Sequence, residues 1–282
     1  MTYKLLALDL DDTLLGPDRE VGERTKEAVR LAQDRGATVV LATGRPYCSA
    51  RLYAERLGIL GPVIASSGAV VRDVQGRDLR EQFLPRELCS AVVEDCDQRG
   101  AAAYAYIGCQ IWSNRSHPAT DRYARILDVP IEVDDNLAQS LLSFSEEVNA
   151  LALRVDPDSA AEIEAFWRRR LGDDAVVIGT LPTLVEILPS GGGKGSALGF
   201  VCCHLGIPIA ASVAVGDSRG DIDMLQAAGL GVLVANAPPE LHPEADRVTR
   251  SPFVEGVIEV VQEFFPKVPV TGRGMGGRRG SR

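Results

Sequence analysis

The run Lys-Leu-Leu-Ala-Leu-Asp-Leu at residues 4–10 constrains the fold more than any other stretch. It reads as a buried strand, yet it ends in Asp9, Asp11 and Asp12 before turning apolar again at Leu14 and Leu15. A buried carboxylate without a partner costs several kcal/mol, roughly. Acids at the end of a core strand therefore need something to neutralise them.

Beyond this strand, helix and strand alternate. Residues 21–36, VGERTKEAVRLAQDRG, have the spacing of an amphipathic helix closed by Gly36. TVVLAT is a second β-branched strand, residues 46–57 a second helix, and VIAS a third strand; AVVRDVQGRDLREQF is a hairpin turning at Gln75-Gly76. This order predicts an α/β fold, a Rossmann-like parallel sheet with helices on both faces. From Leu84 the pattern changes: a helix over PRELCSAVVEDCDQRG, strands AAAYAYIG, QIWSN and VNALALRV, a helix from Asp156 to Leu171, then strands AVVIGT and TLVEILP. Paired strands between helices predict an inserted α+β cap over residues 84–189. The alternation then resumes with a helix from Lys194, strand SVAVG, a helix from Asp221, strand GVLVAN and a last helix up to Phe265. The expected core is thus discontinuous, 1–83 and 190–268. The Gly/Arg-rich tail, 269–282, has no hydrophobic period and is expected to be disordered, with a small RNA-binding arm as the alternative.

Composition narrows the function classes. A net charge of −9 argues against nucleic acid or an anionic membrane as main partner. No stretch has the roughly 20 apolar residues of a membrane span, and the N-terminus does not read as a signal peptide. The six cysteines (Cys48, Cys89, Cys96, Cys109, Cys202, Cys203) have no CxxC spacing and read as buried thiols of a reducing, cytoplasmic compartment. With three histidines in the chain, a histidine metal site or Ser-His triad is disfavoured, and the chemistry falls to carboxylates.

Ligands of α/β sheets bind beyond the carboxyl ends of the strands. Four features fall at such ends or at the following helix start: Asp9 and Asp11; Thr43-Gly44-Arg45; Lys194 in GGGKGS; and Asp217 with Asp221. Carboxylates from two strands suit Mg²⁺, a hard cation that takes oxygen ligands. A hydroxyl, backbone amides and a lysine supply donors to a dianionic phosphoryl group. Two acids one residue apart can divide the work between nucleophile and general acid/base. Rival readings fail on particular residues. A calcium loop over Asp9–Glu20 needs glycine where Leu14 stands, and a nucleotide P-loop needs glycine at Leu188 and Ser or Thr at Gly195.

Together DLDDTLL, ATGR, the lysine of PSGGGKGSAL, and GDSRGDIDML followed by VANAPPELHPEADRVT resemble the haloacid dehalogenase-like hydrolases, in their Cof-type branch with a type IIB cap. SPFVEGVIEVV resembles the family's C-terminal end, so the likeness spans about residues 3–265. The resemblance implies a Mg²⁺-dependent phosphatase of a small phosphorylated metabolite, a sugar phosphate first. Asp9 would be the nucleophile that carries the phosphoryl group and Asp11 the general acid/base. The cation would be held by the Asp9 side chain, the Asp11 carbonyl and Asp217, with Asp221 close by. Thr43, the Gly44 amide and Lys194 would bind phosphoryl oxygens, and Arg45 would reach the substrate. The insertion would close over the site and its residues would set the substrate; Trp112, Arg115, His117 and Arg122 lie there, and each by itself reads first as ordinary cap surface or core.

Two positions depart from the family pattern: Gly220 replaces the usual Asn of GDxxND, and Ser67-Gly68 replaces Asn-Gly. The alternatives are a phosphomutase or phosphotransferase of the same fold, or a phosphometabolite-binding protein that has lost turnover.

Overall fold

A computed structural model describes residues 2–266; the tail expected at 269–282 lies outside the described residues. The first strand, β1 (Leu5–Leu8), is buried along its whole length. It is followed by α1 (Glu23–Asp34), β2 (Thr38–Ala42), α2 (Tyr47–Leu57), β3 (Val63–Ala65) and the hairpin β4 (Val70–Arg72) and β5 (Asp78–Glu81). The second stretch runs α3 (Arg86–Arg99), β6 (Ala103–Ile107), β7 (Gln110–Ser113), α4 (Pro118–Leu127), β8 (Ile131–Val133), α5 (Leu137–Ser140), β9 (Ala150–Arg154), α6 (Ala160–Leu171), β10 (Ala175–Leu181) and β11 (Leu184–Pro189). The chain then closes with α7 (Lys194–His204), β12 (Ser212–Gly216), α8 (Ile222–Ala227), β13 (Leu230–Leu233), β14 (Arg247–Val248) and α9 (Phe253–Phe264).

These strands make two sheets. The core sheet has the order β14-β13-β12-β1-β2-β3-β4-β5, parallel from β14 to β3 and antiparallel at the last two strands. The cap sheet has the order β10-β11-β9-β6-β7-β8, antiparallel except where β7 meets β8. The architecture is the α/β fold with a mainly parallel core sheet and a second, mixed sheet.

Side chains of a strand alternate between its faces, which explains the unbroken apolar run of β1. Leu6 and Leu8 join one core with Ala28, Val29, Ala54 and Val257 from α1, α2 and α9. Leu5 and Ala7 join another with Leu198, Val201 and Met224 from α7 and α8. Both faces are covered, so no polar position is tolerated until the strand ends. The cap sheet is also two-sided: Leu151, Val185 and Ile187 pack on α3 and α6, including Trp167, while Tyr104, Tyr106, Leu184 and Leu188 lie on the opposite face with Leu127 of α4.

Two findings differ from the sequence reading. Residues 115–147, to which it assigns no element, contain α4, β8 and α5. Helix α4 lacks a Ser, Thr or Asp cap; Nδ1 of His117 accepts the Ala119 amide instead, and Pro118 takes the first helical position. The cysteines are not all buried thiols: Cys48 and Cys109 form a disulfide with Cα atoms 5.6 Å apart, and Cys203 is exposed. Cys48 lies in α2 of the core and Cys109 in the β6–β7 turn, so the bond links the two sheets' subdomains. Among the described residues, no helix is long and apolar enough to cross a membrane.

Candidate active site

Leu8 pairs with both Leu41 and Val215, so β1, β2 and β12 end level with one another. Asp9, Thr43 and Asp217 follow from neighbouring strand ends, where the connections leave β1 in opposite directions. This is the switch point at which open α/β sheets bind ligands. The ladder runs on past the strands: the Asp9 amide donates to the Val215 carbonyl (3.0 Å) and the Thr43 amide to the Ile64 carbonyl (2.9 Å). Both functional side chains are thus attached to sheet geometry rather than to free loop.

Lys194, the first residue of α7, reaches in from a buried position. Its Nζ donates to Oδ1 of Asp9 and Oδ1 of Asp221, each at 2.6 Å. Asp221 is fully buried. Its second oxygen accepts the Asp217 amide (3.2 Å), the Ser218 amide (3.0 Å) and the Ser218 hydroxyl (2.9 Å). That carboxylate is saturated, and it shapes the 217–221 turn. Thr13, which the sequence reading left without a role, donates its hydroxyl to Oδ1 of Asp217 at 2.7 Å.

Asp9, Asp217 and Asp221 each present an oxygen within 4.8 Å of the others. Among the described residues, no hydrogen bond engages Oδ2 of Asp9 or of Asp217. Burial pushes Asp9 up to about 7 against the pull of Lys194, with Asp221 adding to the rise. Burial, then the Asp221 and Asp9 charges, push Asp217 up to about 9. Burial alone would deprotonate Lys194, but Asp221 and Asp9 hold its pKa well above the usual lysine range. Two adjacent hard oxygens whose charge is under such pressure fit a divalent cation. Asp221, with its lone pairs already used, fits as a support for that pair.

Asp11 is placed differently. Nε and Nη2 of Arg45 donate to its two oxygens at 2.7 and 2.8 Å, so its carboxylate stands outside the three-acid group. The expected metal contact of Asp11 is through its main-chain carbonyl, which this arrangement leaves unchanged. Arg45, expected to reach the substrate, lines the cavity with its guanidinium paired to Asp11; it also donates to the Ser49 hydroxyl at 3.1 Å and lies 4.5 Å over the Tyr53 ring. The reason is burial. At 1% exposure the cation needs paired carboxylates: Asp11 holds it at two points, and Oδ2 of Asp128 lies 3.7 Å from Nη1. Asp12 adopts φ 59° in the turn after β1 and also lines the cavity edge.

These groups open on a cavity of about 740 Å³ between the two sheets. Thr43 and Gly44 line its floor beside Lys194, and no hydrogen bond among the described residues uses the Gly44 amide. His117 and Arg122 line the cap side, whereas Trp112 packs with the cap core and Arg115 pairs with Asp97. The sequence reading missed Tyr123, Arg154 and Glu186 on that side. Glu186 did leave a signal: one acid in the middle of the apolar strand Leu184–Pro189.

The two departures have structural counterparts. The Ser67 hydroxyl donates to Oε2 of Glu186 at 2.8 Å, which ties the core loop to the cap sheet. Gly68 has φ 99°, and a Cβ there would overlap the Gly193 carbonyl, so only glycine lets this loop meet the start of α7. A Cβ on Gly220 would meet Thr180 of β10 at 3.2 Å. The missing Asn side chain thus makes room for a cap strand.

The chain is similar to known proteins along most of its length. Residues 6–261 match the haloacid dehalogenase-like hydrolase family. The chain is 28% identical over 243 residues to the HMP-PP phosphatase of Cronobacter sakazakii, covering 86% of this chain and 87% of that protein. It is 27% identical over 284 residues to the phosphatase YwpJ of Bacillus subtilis, covering 93% and 100%. A haloacid dehalogenase-like hydrolase of Bacteroides thetaiotaomicron superposes with a TM-score of 0.80 at 25% identity, covering 94% of this chain and all of that one.

Proposed function

Since the chain belongs to the haloacid dehalogenase-like hydrolases, in their Cof-type branch, we propose that this phosphatase hydrolyses a small phosphorylated metabolite, a sugar phosphate first, through phospho-Asp9. The observation that carries the reading is the convergence of Asp9, Asp11, Thr43, Gly44, Lys194 and Asp217 on one cavity from four separated segments. We assign residues 84–189 the role of the cap.

Asp9 attacks phosphorus with a carboxylate oxygen, and the ester oxygen leaves on the side of Asp11. Asp11 gives that oxygen a proton, then takes one from the water that opens the acyl phosphate. Arg45 keeps the Asp11 carboxylate in one orientation through both steps, because its two-point grip leaves no free rotation. Lys194, the Thr43 hydroxyl and the Gly44 amide hold the phosphoryl oxygens as negative charge redistributes. Asp9 and Asp217 would hold Mg²⁺, which when bound offsets the charge of the phosphoryl group and of the acids. Asp221 and Thr13 keep Asp217 in place for that ion.

The test is phosphate release from a panel of phosphorylated metabolites, with and without Mg²⁺, using Asp9→Asn as control. Turnover should require the cation and fall by at least about 10³-fold in the variant. Unchanged Mg²⁺-dependent turnover in Asp9→Asn would remove Asp9 as nucleophile.

A further inference from the structure

Glu186 is the carboxylate that the cap sheet sends into the cavity, and the Ser67 hydroxyl and the Lys194 charge only partly offset its burial. Its neighbours on the strand are apolar: Val185 and Ile187 enter the core under α3 and α6, and Leu184 and Leu188 share its own face. Cross-strand, it stands opposite Ile178 and Ala152. An acid in such surroundings is costly unless its oxygens are used. Oε2 accepts the Ser67 hydroxyl at 2.8 Å. Oε1 has no hydrogen-bond partner among the described residues, and a Cβ on Gly44 would lie 3.6 Å from it. The free oxygen therefore sits beside the Thr43-Gly44 loop, on the cap side of the cavity.

Taking the phosphatase reading as its basis, we propose that Glu186 is a specificity-determining residue that accepts a hydrogen bond from a hydroxyl close to the ester oxygen of the substrate. A latch between cap and core would be served as well by a neutral amide, which can accept the same Ser67 hydroxyl. A carboxylate adds two things: a stronger acceptor for a hydroxyl donor, and repulsion of any second anionic group at that place. The substrate class is then a phosphate monoester with a hydroxyl one or two carbons from the ester, as in a phosphorylated sugar or polyol. A diphosphate ester is disfavoured, because its inner phosphate would lie against Glu186. Ser67 acts through Glu186 by fixing which oxygen faces the cavity, and so is a positioning residue.

The experiment compares wild type, Glu186→Gln and Ser67→Ala on glycerol 3-phosphate, a hexose 6-phosphate, p-nitrophenyl phosphate and a diphosphate ester, all with Mg²⁺. In Glu186→Gln the KM for the hydroxylated monoesters should rise about tenfold or more, with kcat changed much less. The KM for p-nitrophenyl phosphate, whose leaving group has no hydroxyl to donate, should move less than about threefold, and the diphosphate should gain relative to the monoesters. Ser67→Ala should shift the same KM values in the same direction by a smaller factor. Equal losses on hydroxylated and nitrophenyl substrates would overturn the proposal, as would an unchanged monoester KM. Wild-type turnover of p-nitrophenyl phosphate separates the two levels: its absence would sink the phosphatase reading and this inference with it, whereas its presence leaves the substrate pattern of Glu186→Gln to decide.

Discussion

The core and the cap meet across one cavity, but they face it with different physics. On the core side four acids are held: Asp9 by Lys194, Asp217 by Thr13, Asp221 by four donors and Asp11 by two nitrogens of Arg45. On the cap side His117 and Arg122 are exposed, Arg154 has only a threonine hydroxyl, and the remaining lining is largely aromatic and aliphatic. Fixed, buried charge suits a reaction whose geometry does not change between substrates. Loosely held cations on an apolar face suit recognition that does.

If the core side is over-determined, removing one holder should cost more than the distance to the chemistry suggests. Arg45→Met leaves Asp11 without its two-point partner and should lower kcat by about 10²-fold. KM should change much less. A loss confined to KM would mean that Arg45 binds substrate after all, and the core would be less rigid than its hydrogen bonds indicate.

The second break concerns how the two regions are joined. Helix α2 collects the links: Cys48 to Cys109, and the Tyr53 hydroxyl donating to Asp128 at 2.7 Å. Elsewhere the joints include the Ser67–Glu186 bond, the Arg219–Glu164 pair at 3.3 Å and the Arg45–Asp128 pair at 3.7 Å. With 61 residues of sequence separation, the disulfide is worth about 4 kcal/mol in a chain-entropy account. The double variant Cys48→Ser/Cys109→Ser should lose stability of that order in urea unfolding. Reductant should bring the wild type to the same midpoint and leave the variant unmoved. Equal midpoints for reduced and unreduced wild type would mean that non-covalent joints alone hold the cap.

The cation test acts on the core side alone. In cation-free protein the raised values of Asp9, about 7, and Asp217, about 9, stand against an ordinary 3.8. The folded state therefore keeps protons that the unfolded chain releases near pH 4. Stability from these groups is complete below that pH and declines as pH rises through about 7 and then about 9. Mg²⁺ competes with those protons, so the rise in unfolding temperature that it gives over chelator should be larger near pH 9 than near pH 5. An equal rise at both would exclude the Asp9–Asp217 pair as its site.

How much of this was legible in the sequence tracks the same division. The core was readable because strand ends, a turn and a helix start fix where Asp9, Thr43, Lys194 and Asp217 must lie. What it hid was commitment: nothing in ATGR says that Arg45 will be spent on Asp11, since that comes from a burial set by the packing of α2. The cap was readable as strands and helices but not as a site. Helix α4 lacked a familiar cap, and Arg154 reaches the cavity only because β9 pairs with β6 and β11, non-neighbours in sequence. Cys48 and Cys109 are unpaired by any spacing rule for the same reason.

Arg154 offers the smallest effect and the sharpest contrast. It is half-buried at the cap edge of the cavity, donates to Oγ1 of Thr183 at 2.8 Å, and has no carboxylate partner among the described residues. An arginine so placed can shift toward an anionic or hydroxylated end of a leaving group without breaking an ion pair. Arg154→Ala should therefore change folding stability by less than about 1 kcal/mol. It should raise KM by about three- to tenfold for the substrates whose far end reaches the cap, and leave p-nitrophenyl phosphate nearly unaffected. The kcat values should stay within about twofold, since no group that touches phosphorus depends on it. A drop in kcat as large as that of Arg45→Met would mean that the cap helps to build the reacting geometry, and the division between a fixed floor and an adaptable roof would not hold.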